Sequence, residues 1–504
     1  MAKNQRKIGM LLSYANSLLT VAVNIFLTPF LVRGLGASEY GVYQMMSSFA
    51  GYLVLMNFGT STVMTRYVSI ALAKKDKKSE KNFIATCLLI TLGLGLLIVI
   101  AAVVLFVFLD SIYAGSLTQD QISKAKVLYI FISGNILVTL FAQAFQGIIT
   151  AYEKFVVNNL WQILRVAVKA ILIVSLFMIK ADSIIIVAVD LMLSVALLVF
   201  ALSYVLVKLK VRWKLYFWDK ELVASAALFS MAIFLQSIVN QVNSKVDITV
   251  LGIMTGPESA TRYSVAMQIF TVFSTVSTAA MAVYLPKFSR MCANGETDGM
   301  SITKAMIAPS RVQTLASGAI LFGFLTCGKD FINVWMGSEY IFSWYIAVII
   351  LVPSFLLYSN GIIVSVLDAM GKRLVRSVIL VGVALCNIAI TVVLVYFFGE
   401  IGAPIGTAIA TLIGSVIIMN IYYVKVIKIK LGYFCKNTFK GIIPALLIAF
   451  ALSYPLNFLM EAGVAGLVVK GGTFVIILAL CMFLFGFNKD EKSLVLGVLK
   501  RRRK

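Results

Sequence analysis

The sequence predicts an all-α, polytopic membrane protein of about fourteen transmembrane helices, and three observations carry that expectation. First, 61% of the 504 residues are hydrophobic and only 13% are charged, with a mean hydropathy of +0.98. Soluble domains carry charge at about a quarter of positions. Second, apolar runs of roughly the 20 residues that cross a bilayer recur along the whole chain. Third, lysine and arginine collect in alternate breaks between those runs.

The runs open near Ile8, Tyr40, Phe83, Lys126, Val156, Ser183, Leu222, Ser259, Lys304, Ile341, Leu374, Ala403, Thr438 and Ala465. Turn signals such as Gly34-Leu35-Gly36-Ala37-Ser38, Gly256-Pro257-Glu258 and Gly399-Glu400 separate them. The first run follows Lys3, Arg6 and Lys7, as the core of a signal peptide would. Its length from Ile8 to Val32, its Asn16 and Asn24, and the lack of a small-residue cleavage site fit a first transmembrane helix instead.

With the N-terminus cytoplasmic, most of the 44 lysines and arginines fall on that side. They cluster at Lys74–Lys81, Lys208–Lys220, Lys372–Arg376, Lys425–Lys440 and the Lys500–Lys504 tail. The opposite side holds Arg33, Lys124, Lys126, Lys180, Arg262, Lys329 and Lys470. This is the positive-inside pattern, and it places both termini in the cytoplasm. The net charge of +23 is therefore topogenic, and nucleic acid is not an expected partner.

An internal repeat pairs Leu31, Gly36 and Tyr43 with Leu251, Gly256 and Tyr263, and Ala151 and Lys154 with Ala369 and Lys372. Both offsets span six runs. An even shift preserves orientation, so the halves are expected as parallel repeats about a pseudo-twofold axis along the membrane normal. The expected layout is a six-helix bundle over residues 1–215 and a second over 216–432. Two extra helices and a basic cytoplasmic tail occupy 433–504.

The stretch Pro29 to Ser69, PFLVRGLGASEYGVYQMMSSFAGYLVLMNFGTSTVMTRYVS, resembles the N-terminal signature of bacterial polysaccharide (O-antigen, Wzx-type) flippases. In that pattern a Leu-Gly-x-x-x-Tyr-Gly turn joins the first two helices, and Asn/Asp-x-Gly precedes a basic residue. The matching positions are Leu35, Gly36, Tyr40, Gly41, Asn57, Gly59 and Arg66. Val246-Asp247 with Leu251-Gly252 resembles the family's Asp-bearing seventh helix, and Ala369-Met370-Gly371-Lys372 the end of its tenth. The resemblance implies membership of the superfamily that also holds MATE multidrug exporters and lipid II flippases, with two six-helix bundles around a central cavity. Lipid II flippases place several arginines in their first two helices. The first run here is uncharged up to Arg33, a departure from that subgroup.

Five cations, Arg66, Arg165, Lys169, Lys245 and Arg311, and two anions, Asp190 and Asp247, lie at membrane depth. Arg165 and Lys169 are spaced i,i+4 and share one helix face, where they repel unless an anion sits beside them. A pyrophosphate fits that role, because arginine binds phosphate oxygens as a planar fork and lysine as a point charge. The competing partner is Asp190 on the next run. Arg66 lies eight residues before Lys74, and Arg311 seven after Lys304 and just past Pro309, so each either lines the cavity or snorkels to the headgroups. Lys245 and Asp247 point to different faces. Gln146 and Asn240, with Gln143, Gln236 and Asn243, either meet sugars or act as interhelical hydrogen bonds. Trp161 either stacks on a sugar ring or belongs to an interfacial belt.

No histidine occurs, and the six cysteines are scattered without a CxxC pair. Walker, Gly-x-Ser-x-Gly and HExxH patterns are absent. No catalytic residue, metal or cofactor is expected, and the protein is not expected to be an enzyme. The resemblance implies a flippase that carries an undecaprenyl-pyrophosphate-linked oligosaccharide from the cytoplasmic to the outer face of the bacterial cytoplasmic (inner) membrane by alternating access. A proton or sodium gradient would drive it through Asp247 or Asp190. Its partners would be the polyprenyl-pyrophosphate-linked glycan, membrane lipids, a polysaccharide polymerase and glycosyltransferases. The alternative is a MATE-type exporter of small amphipathic compounds. Excess positive charge at depth suits an anionic lipid better than a cationic drug. A membrane glycosyltransferase or ligase would need a catalytic base or metal carboxylates, and two isolated aspartates supply neither.

Overall fold

Gly36 separates the first two crossings. Its φ of 78° and ψ of 164° lie outside any helix, a conformation open to glycine for want of a Cβ. Helix α1 (Ala2–Gly51) is therefore two helical rods meeting at a bend. The computed structural model describes residues 2–218, 220–278, 281–296, 298–488 and 491–493, and among these it holds helices and turns without a strand. The first half continues with α2 (Thr60–Ala73), α3 (Lys77–Tyr113), α4 (Gln119–Ala151), α5 (Phe155–Phe177), α6 (Ser183–Ser203), α7 (Lys220–Met254) and α8 (Pro257–Thr278). The second comprises α9 (Met281–Ala293), α10 (Gly299–Trp335), α11 (Phe342–Ser359), α12 (Ile363–Ala369), α13 (Arg373–Phe398), α14 (Gly402–Ala410) and α15 (Met419–Ile427). Then follow α16 (Leu431–Phe439), α17 (Ile442–Ser453), α18 (Leu456–Leu459) and α19 (Val464–Cys481). A π-helical segment, Thr411–Ile418, joins α14 to α15.

Among the described residues, 11 helical stretches are long and apolar enough to cross a membrane. Two of them, Leu11–Ala73 at 63 residues and Leu374–Ile427 at 54, exceed twice the roughly 20 residues that one crossing needs. The 22-residue α8 is a further candidate of lower hydropathy. The described helices thus accommodate the fourteen expected crossings. The protein is a multi-pass, all-helical membrane protein.

Short polar motifs fix the helix ends. Asp76 caps α3 by accepting the amides of Lys78 and Ser79, each at 3.0 Å. The hydroxyl and amide of Ser79 hold the Asp76 carboxyl below the usual carboxylate range. Thr118 and Gln121 form a reciprocal capping box at α4, and Asp298 caps α10.

The chain divides into two compact units, residues 1–264 and 265–504. In the first, α4 packs along α2 and α6, and α5 along α1. Their core includes Met64, Val68, Ile84, Ala144, Ile148 and Val205. Helix α7, which the repeat groups with the second bundle, packs on α1 and belongs to the first unit by its contacts. In the second unit α10 is the post against which α11, α16, α17 and α19 pack, while α13 lies along α14.

The repeat persists in the backbone. Gly36 and Gly256, paired by the sequence, have φ of 78° and 93°. Glu153 and Gly371, at the offset that pairs Lys154 with Lys372, have φ of 59° and 68°. The amides of those lysines close the same turn: Lys154 N donates to Ile149 O at 3.2 Å and Lys372 N to Leu367 O at 3.0 Å.

Candidate functional site

The polar positions of α5 recur at helical spacing, so Asn158, Trp161, Arg165 and Lys169 share one face. They meet side chains of α4 and α6 that recur the same way. Arg165 donates from Nη2 to Ser194 Oγ at 2.9 Å, and Thr139 donates to that same hydroxyl oxygen at 3.3 Å. Lys169 Nζ lies 2.8 Å from both oxygens of Asp190. Asn158 Nδ2 donates to Thr150 Oγ1 at 2.8 Å and to Gln146 O at 3.2 Å. Trp161 stacks on Phe200, with 4.4 Å between centroids and planes 9° apart. The indole Nε1 of Trp161 and Nε2 of Gln146 are buried without a hydrogen-bond partner among the described residues.

Asp190 therefore supplies the anion that Lys169 requires, and the repulsion expected between Lys169 and Arg165 is relieved within the protein. Arg165 keeps more of its capacity. A guanidinium has five N–H donors, and Ser194 is the acceptor it finds among the described residues. Arg165 and Lys169 are both half-buried. The stripe thus offers a planar cationic fork, a neutralised lysine, two orphan donors and an aromatic face. That combination suits phosphoryl oxygens and sugar hydroxyls.

Helix α7 presents a second polar row. Asn240, Asn243 and Ser244 are exposed midway along a membrane-spanning helix, and Gln236 donates to Asn240 Oδ1 at 3.2 Å. Lipid is a poor neighbour for such groups, so this face borders water. Lys245 is half-buried, and no carboxylate pairs with it among the described residues. Asp247 points the other way: it is buried and accepts the Tyr263 hydroxyl. Close by, Tyr52 Oη donates to Thr249 Oγ1 at 3.4 Å. Arg66 is exposed, with its guanidinium 4.4 Å from the Phe229 ring centroid. That is a cation–π contact rather than an ion pair.

Residues 9–292, more than half of the chain, match the model of the family described as polysaccharide biosynthesis protein. The chain belongs to that family. The Wzx-type resemblance read from Pro29–Ser69 is borne out. "Uncharacterized membrane protein EpsK" of Bacillus subtilis (strain 168) is 21% identical over 505 residues, covering 97% of this chain and 96% of that one. "Probable low-salt glycan biosynthesis flippase Agl15" of Haloferax volcanii is 22% identical over 191 residues, 38% of this chain and 40% of its own. Among solved structures, an inward closed conformation of the lipid II flippase MurJ superposes with a TM-score of 0.71 at 15% identity, covering 94% of this chain and 97% of that chain. That likeness is one of fold.

The polysaccharide biosynthesis signature reads as architecture. Gly36 makes the bend. A Cβ on Gly41 would stand 2.0 Å from Pro257 O, so only glycine lets α1 approach the start of α8. Asn57 donates its amide to Gln143 on α4, and Thr60 donates to Asn57 O at 2.6 Å.

Arg311 requires a correction. It neither lines a cavity nor snorkels, being 2% exposed. Its Nε and Nη2 grip the two oxygens of Glu491 at 2.7 and 3.0 Å. Nη2 also donates to Gly486 O at 2.6 Å, and Nη1 to Asn437 O at 3.0 Å and Lys440 O at 2.9 Å. A cation with its donors spent this way is a structural knot. Lys470, expected on the outer side, is buried and paired with buried Asp330 at 2.5 Å.

Proposed function

We propose that this protein flips an undecaprenyl-pyrophosphate-linked oligosaccharide from the cytoplasmic to the outer face of the bacterial cytoplasmic membrane. Both termini would be cytoplasmic. The observation that carries the reading is the half-buried Arg165 fork beside Lys169 and the orphan donors of Gln146 and Trp161. With Arg311 in a structural role, the charges that the sequence puts at membrane depth in the first unit are Arg66, Arg165, Lys169 and Lys245 against Asp190 and Asp247. The excess is positive, as an anionic headgroup needs and a cationic drug does not. Sugars would meet the neutral amides of α4 and α7, and alternating access would carry the headgroup across.

The test is export. Arg165→Gln with Lys169→Gln should leave the protein in the membrane and abolish surface delivery of the lipid-linked glycan. Normal surface polysaccharide in a strain carrying only the double variant would overturn the assignment.

Coupling to an ion gradient is the second part of the proposal, with Asp247 as the coupling carboxylate, because Asp190 is engaged by Lys169. In reconstituted vesicles, flipping should respond to an imposed proton or sodium gradient, and Asp247→Asn should remove that response. Equal rates in wild type with and without every gradient would rule coupling out.

A further inference from the structure

The second unit carries a polar pocket that the expected site does not include. It lies between the end of α11, the first turn of α13 and the π-helical segment. Asn360, Arg376, Ser415, Asn420 and Tyr423 line it around a cavity of about 30 Å³. Such a space holds one water or a single phosphoryl oxygen. Leu356, which is exposed, also lines it, so the cavity is not sealed.

The polar groups inside are underemployed. Among the described residues Arg376 Nε is buried without a hydrogen-bond partner, and so is Asn360 Oδ1. Asn360 Nδ2 donates to Asn420 Oδ1 at 2.8 Å. The Tyr423 hydroxyl lies within reach of the Arg376 guanidinium. Among the described residues no carboxylate pairs with Arg376. The two amides can exchange N and O while keeping the bond between them, which turns the orphan Oδ1 into a donor. The pocket lining then offers a guanidinium N–H and an amide N–H, with the Tyr423 hydroxyl beside them. That arrangement recognises an anionic oxygen.

The internal repeat shows that the fold does not require this cation. Arg376 follows Lys372 by four residues, as Asn158 follows Lys154. Asn158 is neutral and bonds to Gln146 O and Thr150 Oγ1 on α4. At the matching place the second unit keeps a charge whose buried N–H finds no partner among the described residues. Depth narrows the ligand further. Arg376 is one turn into α13 from Lys372 and Arg373, the basic cluster that marks the cytoplasmic headgroup layer. The anion found there is lipid phosphate. A π-helical wall is a common local irregularity at binding sites.

We propose that the second unit binds the phosphate of a lipid headgroup with one of its oxygens in this pocket, with Arg376 as the cation and Asn360, Asn420 and Tyr423 beside it. The phosphate belongs either to an anionic phospholipid of the cytoplasmic leaflet or to a polyprenyl pyrophosphate. Only the second source depends on the transport reading above.

The purified full chain in neutral detergent would be titrated with dioctanoyl phosphatidylglycerol, farnesyl pyrophosphate and dioctanoylglycerol, and binding read by native mass spectrometry. Wild type should bind the phosphate lipids and not the uncharged one. Arg376→Gln should weaken phosphate-lipid binding about tenfold, the loss of one charge-assisted contact. Arg376→Lys, which keeps charge without the fork, should fall between. Lys372→Gln should stay within about twofold. An Arg376-dependent loss for both phosphate lipids identifies a general headgroup site, and a loss for farnesyl pyrophosphate alone identifies a substrate site. Unchanged binding by Arg376→Gln, or equal binding of dioctanoylglycerol, overturns the proposal. Should Arg376→Gln fail to fold, Arg376→Lys and Asn420→Leu carry the same comparison. The titrations are repeated in an Arg165→Gln, Lys169→Gln background, where an Arg376-dependent loss of phosphatidylglycerol binding stands whether or not the transport reading holds, so failure of the transport reading and failure of this pocket read out separately.

Discussion

Arg165 and Arg311 are both arginines within long apolar helices, and a hydropathy profile treats them alike. Their surroundings differ completely. Arg311 has a carboxylate fork, the carbonyls that end α16 and open α17, and the carbonyl of Gly486. Among the described residues Arg165 has one hydroxyl, itself shared with Thr139. The difference teaches how to read a charge at membrane depth. One that is fully bonded within the protein holds helices together, and one that is under-bonded and half-open is available to a ligand.

The largest expected effect tests the first half of that comparison. Arg311→Gln leaves Glu491 and several buried carbonyls without their donor. Breaking a buried pair from one side costs about 3–5 kcal/mol. The thermal melt in detergent should fall steeply, and little protein should reach the membrane. Arg165→Gln forfeits one hydrogen bond at a half-open site, worth about 1 kcal/mol, and should melt close to wild type. Equal destabilisation by the two substitutions would erase the distinction.

Much of the fold was legible because membrane burial writes itself into composition. Runs near crossing length, turn residues between them and the lysine–arginine alternation located fourteen segments. Even the repeat, five identities in a biased sequence, reappears as matched positive-φ turns at Gly36 and Gly256. The site was legible only in part, because what an ionisable residue does depends on partners far along the chain. Arg311 meets Glu491 at a separation of 180 residues, and its other acceptors are backbone carbonyls, which carry no residue-type signal. Pro309, by loosening the same helix, was the available hint. Lys470 sits in a glycine-bearing run near a helix start and so resembles a loop lysine. Its partner Asp330 lies 140 residues away. Arg376 is indistinguishable in the sequence from the topogenic cluster because it follows Lys372 and Arg373. Asp190, by contrast, is legible in the sequence as the competing partner of Lys169, since adjacent antiparallel helices bring such residues to the same depth.

The finest test concerns that last pair. If the α5 stripe were a closed knot like that of Arg311, Asp190→Asn would destabilise the protein heavily and leave ligand binding untouched. The stripe is half-open, so water and the retained amide should limit the loss to about 1 kcal/mol, in the range of partly exposed pairs. The substitution is isosteric but frees Lys169 and raises the local charge of Arg165, Lys169 and Asp190 by one. A site that receives pyrophosphate should then hold farnesyl pyrophosphate more tightly, by roughly threefold at the few tenths of a kcal/mol or more that one screened charge supplies. The gain should shrink as salt is raised. Tighter binding with a near-normal melt would set the stripe apart from the Arg311 knot by its response to the loss of a carboxylate. Unchanged affinity would mean that Lys169 faces no anion, and would leave Arg165 as the whole of the cationic site.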